Sequence, residues 1–229
     1  MSTLYLIRHG QASFGTPDYD RLSPTGMQQV AHLRDHLEAS VALPQRLFSG
    51  RLRRQRETAL ILAGQAAADL EALAEFDEYD ADALLRLHAV RSPGGSAGAT
   101  EHGTASVDAR AFQRRLESAG LAWVEGALGN DCPETWTAFR ARVARGLESL
   151  MAREGRGRRL AVCTSAGVIG AAVGHVLGLA DREALRLSWS IHNASITRLQ
   201  YDGARVSLLT FNAVPHLERA DRLALITYR

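Results

Sequence analysis

The stretch Thr3-Leu-Tyr-Leu-Ile-Arg-His-Gly-Gln-Ala12 constrains the fold of this chain more than any other. Leu4 to Ile7 is a short apolar run with a strand-forming Tyr and Ile in it, too short for a helix and suited to a buried strand. It stops abruptly at Arg8-His9-Gly10. A buried strand ending in these residues delivers a cation, a nucleophile or base, and a permissive backbone to one point. In open α/β sheets the carboxyl edge is where ligands bind. Glycine there lets the backbone turn sharply and come close to a ligand. The rest of the chain is therefore read by asking what else converges on His9.

With 229 residues the chain suits one large domain, or a core domain with an inserted cap. Hydrophobic residues make up 46%, enough for a sizeable core. The 27 basic residues nearly balance the 25 acidic ones, so charge makes no case for nucleic acid as a partner. Cys132 and Cys163 have neither metal-like nor secretory spacing, which predicts a reduced, cytoplasmic setting. No secretory apolar segment follows Met1, because Arg8 and Gly10 interrupt it. No stretch approaches the ~20 apolar residues that span a bilayer, so no membrane partner is expected.

Beyond a polar loop from Ala12 to Arg21, Ser23-Pro24 reads as a helix cap with proline at the first helical position. Met27, Val30, Leu33 and Leu37 then recur at helical spacing. His32 and His36 lie one turn apart on that helix, but without the acid of an HExxH arrangement they read as solvated histidines. Arg46 to Ser49 is a short second strand, and Ser49 to Ala59 a strand-to-helix transition with four arginines around it. Those arginines cannot all point the same way, so one or two at most face any site. Leu70 to Leu73 leads into a third strand or its loop. Glu75-Phe-Asp-Glu-Tyr-Asp80 clusters four carboxylates, either as a solvated loop or with one held near a reacting group.

Ala81 to Leu87 and Ala109 to Trp123 read as helices, separated by a glycine-rich stretch at 91–106 expected to be a mobile loop. Residues 81–133 are expected to form a small cap inserted above the core sheet, within a single domain spanning 1–229. A long helix from Pro133 carries Trp136, Phe139, Val143, Leu147 and Leu150 at steps of three or four, and Gly155 and Gly157 end it. Arg159 to Thr164 is a buried strand, followed at once by the small residues from Ser165 to Gly174 that open a packed helix. A strand edge meeting a helix N-terminus is an anion site. Residues 194–200 and 205–211 form a closing hairpin, and a tail follows with Asn212 and His216.

Three strand-edge sites thus stand out: Arg8-His9-Gly10, the 49–59 transition, and Thr164-Ser165-Ala166-Gly167. A nucleophilic imidazole among cations suits phosphoryl transfer, which depends mainly on positioning and on charge stabilisation of the oxygens. On the residues alone, the reading reaches an anion site with a histidine.

Leu6-Ile-Arg-His-Gly-Gln-Ala12 resembles the opening signature of the histidine phosphatase superfamily, which includes the cofactor-dependent phosphoglycerate mutases. Leu22-Ser-Pro-Thr-Gly26 with Gln29 resembles that family's LTxxGxxQA segment, and Ser49 to Ala59 its SSxLxRAxxTA segment. The resemblance runs in order from Thr3 to about Phe211. It implies an α/β fold, a three-layer α/β/α sandwich with a mostly parallel central sheet. It also implies His9 as the phosphate-accepting nucleophile, with Arg8 and Arg54 as phosphate clamps. Gly10, Gln11, Ser165 and Ala166 complete the expected phosphate site, and neither metal nor cofactor is implied.

Two departures stand out. Where the family usually has a second histidine, in an SHGG-V-I segment, this chain places Ser165. Serine donates a neutral hydrogen bond, and charge-assisted bonds are roughly twice as strong, so slower transfer is the expected direction. His192 and His216 each read first as structural or exposed, with a stand-in for the lost histidine as the alternative. The family's acid lies in a GxWEG segment; the nearest counterpart is Glu78-Tyr79-Asp80, with Asp80 aligned best and Glu78 second. The chain has no lysine, so a substrate carboxylate could be recognised only by arginine. The expected function is a metal-independent phosphatase hydrolysing a phosphate monoester, either a small phosphorylated molecule or a phosphoprotein. The alternatives are a weak or inactive phosphate-binding pseudo-enzyme and a mutase. No residue compels an oligomer.

Overall fold

The computed structural model describes residues 1–13, 16, 18–40, 42–64, 70–91, 109–203 and 205–228. The apolar run at the start becomes β1 (Ser2–Arg8), and its alternation decides the layering. Leu4 and Leu6 enter one hydrophobic cluster, while Tyr5 and Ile7 enter a second on the opposite side. A strand with apolar residues on both faces must be covered on both. β1 is accordingly interior to a six-stranded sheet of order β3-β2-β4-β1-β5-β6. Here β2 is Arg46–Ser49, β3 Glu71–Ala72, β4 Arg159–Thr164, β5 Ile196–Tyr201 and β6 Val206–Ala213. The first four in that order are parallel, and the β5–β6 hairpin adds antiparallel strands. This is the mostly parallel α/β sandwich expected from the sequence.

One face is covered by α1 (Pro24–Ala39) and α2 (Arg53–Ala63), whose Val30, Leu33, Leu37, Ala59 and Leu62 pack with Tyr5, Ile7, Ala161 and Cys163. Ser23 caps α1 by accepting from the Gly26 amide at 3.0 Å, with Pro24 next in sequence. Met27, expected on the buried face, is 50% exposed, and Gly26 is buried instead. The reason is close approach. A Cβ on Gly26 would lie 2.1 Å from the Gln11 carbonyl oxygen, so α1 sits directly against the turn after His9.

The other face carries the larger cluster, in which Leu4, Leu6, Phe48 and Val162 meet Phe139, Val143 and Leu147 of the long helix. On this side the chain runs in order through α3 (Ala81–Arg91), α4 (Ala109–Val124), the long helix α5 (Trp136–Glu154), α6 (Ala166–Leu177) and α7 (Asp181–Ser188). Leu84, Ala119 and Trp123 of the segment between β3 and α5 belong to this same cluster. The glycine-rich stretch 92–106 lies outside the described residues. The long helix begins three residues later than Pro133 because Thr135 is its cap, accepting from the Ala138 amide. Helix α7 has no counterpart in the sequence reading. It packs where Gly170 and Gly174 leave room: a Cβ there would lie 2.7 Å and 2.5 Å from atoms of Ala184. No helix among the described residues is long and apolar enough to cross a membrane.

Candidate active site

The carboxyl ends of β1 and β4 are paired, Arg8 opposite Thr164, and the His9 amide donates to the Thr164 carbonyl at 2.8 Å. This pairing brings the His9 turn beside the start of α6. Gly10 serves the packing of that turn. Its amide donates to Thr58 Oγ1 at 3.2 Å, and a Cβ would lie 2.5 Å from the Gly26 carbonyl oxygen. Any side chain at position 10 would push α1 off the sheet.

His9 is 5% exposed. Its Nδ1 lies 2.7 Å from the Gly10 carbonyl oxygen. A carbonyl can only accept, so the ring proton sits on Nδ1 and Nε2 keeps its lone pair. Arg54 Nε donates to that Nε2 at 3.2 Å. Burial, then the charges of Arg54 and Arg8, hold the imidazole well below its ordinary value and outweigh the Gly10 bond. The side chain is therefore a neutral base with an available nitrogen beside two cations. Arg54 comes from the first turn of α2 and is braced by Asp20, 2.6 Å from Nη1. Arg8, at the end of β1, donates to the Ile191 carbonyl.

These residues line a cleft of about 520 Å³ that also includes Glu78, Tyr79, Asp80, Ala166 and Gly167. Glu78 follows the turn after β3. Its Oε2 accepts from the Gly167 amide at 2.9 Å, in the first turn of α6, and its Oε1 from the Tyr79 amide at 3.2 Å. Burial nevertheless raises its carboxyl above the ordinary carboxylate range, against those bonds and the two arginines. Asp80 is exposed and otherwise occupied, its Oδ1 accepting from the Ala83 amide at 2.8 Å as the cap of α3.

Of the residues anticipated from sequence, the structure brings Arg8, His9, Arg54, Glu78, Asp80 and Ala166 to one cleft. Gly10, Gln11 and Ser165 are not in its lining. Gln11 turns toward α1, its amide donating to Gln29 Oε1 and its side-chain oxygen accepting from Ser23 Oγ. Ser165 is 1% exposed, and its Oγ accepts from Gln55 Nε2 at 2.8 Å. Neither His192 nor His216 lines the cleft: His192 stacks on Tyr228, and His216 is buried against His36 of α1. His32 and His36 are themselves half-buried rather than solvated.

Sequence reasoning missed Tyr19, Phe112, Trp189 and Tyr228, which also line the cleft. They come from loops, the cap and the tail, and carry no motif; an aromatic without a core-like period was the only available sign. Among the described residues no group of three or more histidines, cysteines or carboxylates is placed to hold a metal ion.

The family is identified by sequence. The model of the histidine phosphatase superfamily (branch 1) matches residues 4–214, and the chain belongs to that family. Solved structures are similar at the level of the fold. The YhfR protein of Bacillus stearothermophilus is 18% identical, with a TM-score of 0.68 over 95% of this chain and 100% of that one. A phosphoserine phosphatase from Entamoeba histolytica is 16% identical, with a TM-score of 0.64 and the same coverage. A mycobacterial glucosyl-3-phosphoglycerate phosphatase is 22% identical, with a TM-score of 0.63 over 92% and 98%. No curated protein matches the chain by sequence.

Proposed function

We propose that the protein is a phosphatase that hydrolyses phosphate monoesters through a phosphohistidine on His9. The observation that carries this reading is the state of His9: neutral, with its Nε2 lone pair facing Arg54 in the wall of a cleft that Arg8 also lines. An incoming phosphate replaces that nitrogen as the acceptor of the Arg54 donor, and Arg8 and the start of α6 hold its remaining oxygens. Nε2 then attacks phosphorus and the ester P–O bond breaks. Glu78, kept protonated more readily than an ordinary carboxyl, gives its proton to the departing alkoxide. Water delivers the second half: Glu78 takes its proton as it attacks phosphorus, the P–N bond breaks, and inorganic phosphate leaves with the Nε2 lone pair restored.

Glu78 is preferred to Asp80 as the acid because its carboxylate bridges to Gly167 beside the nucleophile, whereas Asp80 is engaged in capping α3. Ser165 is assigned an indirect part, holding Gln55 and the α2 start in register with α6. The test is hydrolysis of p-nitrophenyl phosphate in EDTA by the wild type and by His9→Ala. Turnover that survives the chelator and disappears in the variant is the expected result; turnover in both, or loss on chelation, sinks the mechanism.

One observation favours a second reading. Ser165 is buried, and among the described residues no histidine lines the cleft beyond His9 to replace the family's cationic donor. A phosphate-binding pseudo-enzyme would then bind vanadate or phosphate in an Arg8-dependent way without turnover. A mutase has less support, because the described lining offers no further arginine to hold a reorienting phosphorylated ligand.

A further inference from the structure

We propose that Gln55 is a positioning residue of this site, the side chain that sets Arg54 and His9 at a fixed distance from Glu78. The inference rests on the phosphatase reading and adds to it the residue that keeps nucleophile and acid in register.

Gln55 is fully buried in the first turn of α2 and lies outside the lining of the cleft. Its primary amide offers an acceptor oxygen and two N–H donors, and these meet three different elements. Oε1 accepts from the Leu52 amide at 3.3 Å, capping the first turn of α2, where leucine has no polar atom to do so. Nε2 donates to the Phe76 carbonyl at 3.2 Å and to Ser165 Oγ at 2.8 Å. A reversed amide would set its oxygen against the Phe76 carbonyl, so the orientation is fixed. Gly50 makes the room: a Cβ there would lie 2.0 Å from Gln55 Oε1 and 2.6 Å from the Phe76 carbonyl oxygen.

Each element carries part of the site. Arg54, which donates to His9 Nε2 at 3.2 Å, directly precedes Gln55 in α2. Phe76 closes the turn that leads into Glu78. Ser165 stands at the start of α6, beside Gly167, whose amide donates to Glu78 Oε2 at 2.9 Å. One amide thus joins the support of the nucleophile to both supports of the acid. Thr164 Oγ1 already ties the Phe76 carbonyl to β4 at 2.7 Å, so what Gln55 adds is the tie from both to α2. The Arg51–Asp77 fork spans the same gap at the surface, where water competes. The Gln55 bonds are buried, and in a low local dielectric they hold a distance more tightly.

Vanadate and phosphate together test this. The trigonal bipyramid of vanadate spans the attacking and leaving positions as the transition state does, whereas phosphate needs only the His9 end. Gln55→Met keeps the volume and removes the amide. It is expected to weaken vanadate binding about tenfold or more while the phosphate dissociation constant stays close to that of the wild type. It should also cut kcat for an alkyl phosphate by about 10²-fold with little change in KM, the cost of a small misplacement. Ser165→Ala should show a smaller loss of the same kind, and the double variant should fall no further than Gln55→Met, because the two side chains act as one unit. Three results overturn the inference: equal weakening of vanadate and phosphate, a wild-type kcat per folded molecule beside a lowered urea midpoint, or losses that multiply in the double variant. Where Gln55→Met does not fold, Ser165→Ala decides by the same ratio of vanadate to phosphate affinity. A wild type that hydrolyses no ester sinks the phosphatase reading instead, and that ratio still decides the part played by Gln55.

Discussion

His9 and Glu78 are displaced in opposite senses, and the two shifts together set a pH profile. His9 is held well below the ordinary imidazole value by burial and two arginines, so it stays neutral and nucleophilic well below pH 6.5. Activity is lost only as pH falls through that lowered value. Glu78 is raised by burial, so its proton is retained above the usual carboxylate range and lost as pH rises further. For an alkyl phosphate, which needs that proton in the proposed mechanism, kcat/KM should fall on the acid side as His9 is protonated and on the alkaline side as Glu78 ionises. For p-nitrophenyl phosphate, whose phenolate leaves unaided, the alkaline limb should flatten. Glu78→Gln should cut kcat/KM for the alkyl ester by about 10²-fold and that for the nitrophenyl ester far less; equal losses would remove Glu78 from the acid role. His9, Arg8 and Arg54 were legible because each sits within a few residues of a strand end or a helix start. The proposed preference for Glu78 over Asp80, the reverse of the alignment, was not. It depends on which carboxylate meets the Gly167 amide, 89 residues away in sequence.

Between residue and fold, the short turn after β3 is what holds Glu78 in place, and α5 holds that turn. Arg142 Nη1 donates to the carbonyls of Ala74, Glu75 and Asp77 at 3.0, 2.9 and 3.1 Å. Its Nε and Nη2 make a fork to Glu134, whose carbonyl accepts from Trp123 of the cap helix at 2.7 Å. Arg51 adds a second fork to Asp77 from the other side. Arg142→Ala removes five donated bonds and takes the guanidinium donor from the Glu75 and Asp77 carbonyls, while Ala74 keeps the Asp77 amide. A stability loss on the order of 2 kcal/mol is expected, measurable in a urea titration. The alkyl phosphate reaction should fall about tenfold while the nitrophenyl reaction changes little, because the proton donor and not the nucleophile is loosened. Equal falls would make Arg142 a residue of stability alone. None of this was visible in the sequence, where Arg142 falls on the polar side of the Trp136–Leu150 stripe. For a similar reason α7 went unread: its eight residues are too few for a periodicity to declare itself, and it is anchored by glycines of the preceding helix.

Across the whole molecule, the two clusters on either side of the sheet explain why the fold was readable from the continuous apolar run of β1 and from helix stripes. A third feature was not readable. His216 is 2% exposed with no hydrogen-bond partner for either ring nitrogen, packed 6.3 Å from the His36 ring. Burial first, then His36, His32 and Arg222, push it down to about 3. The unfolded chain takes up this proton near the ordinary value of 6.5, and the folded one only near 3. Its contribution to stability is therefore full above about pH 6.5 and drains away as pH falls toward 3. His9, depressed likewise, adds to the same slope. His216→Leu should shrink the difference in urea midpoint between pH 7 and pH 4.5 relative to the wild type; an unchanged difference would show that His216 does not carry it.

The central pairing of the sheet also sets a timetable. β1 is made long before its neighbours: its parallel partner begins at Arg159, with Thr3 opposite it, and its antiparallel partner, with Tyr201 opposite Ser2, comes later still. At ~5–20 residues per second of synthesis, the two-faced strand Leu4–Ile7 waits about 8–30 s for its first neighbour. During that wait both its backbone edges lack their strands, and only the Tyr5 and Ile7 face has its covering helices, α1 and α2, already made. The His9 turn, fixed by the Thr164 carbonyl, can therefore close only after β4 has left the ribosome.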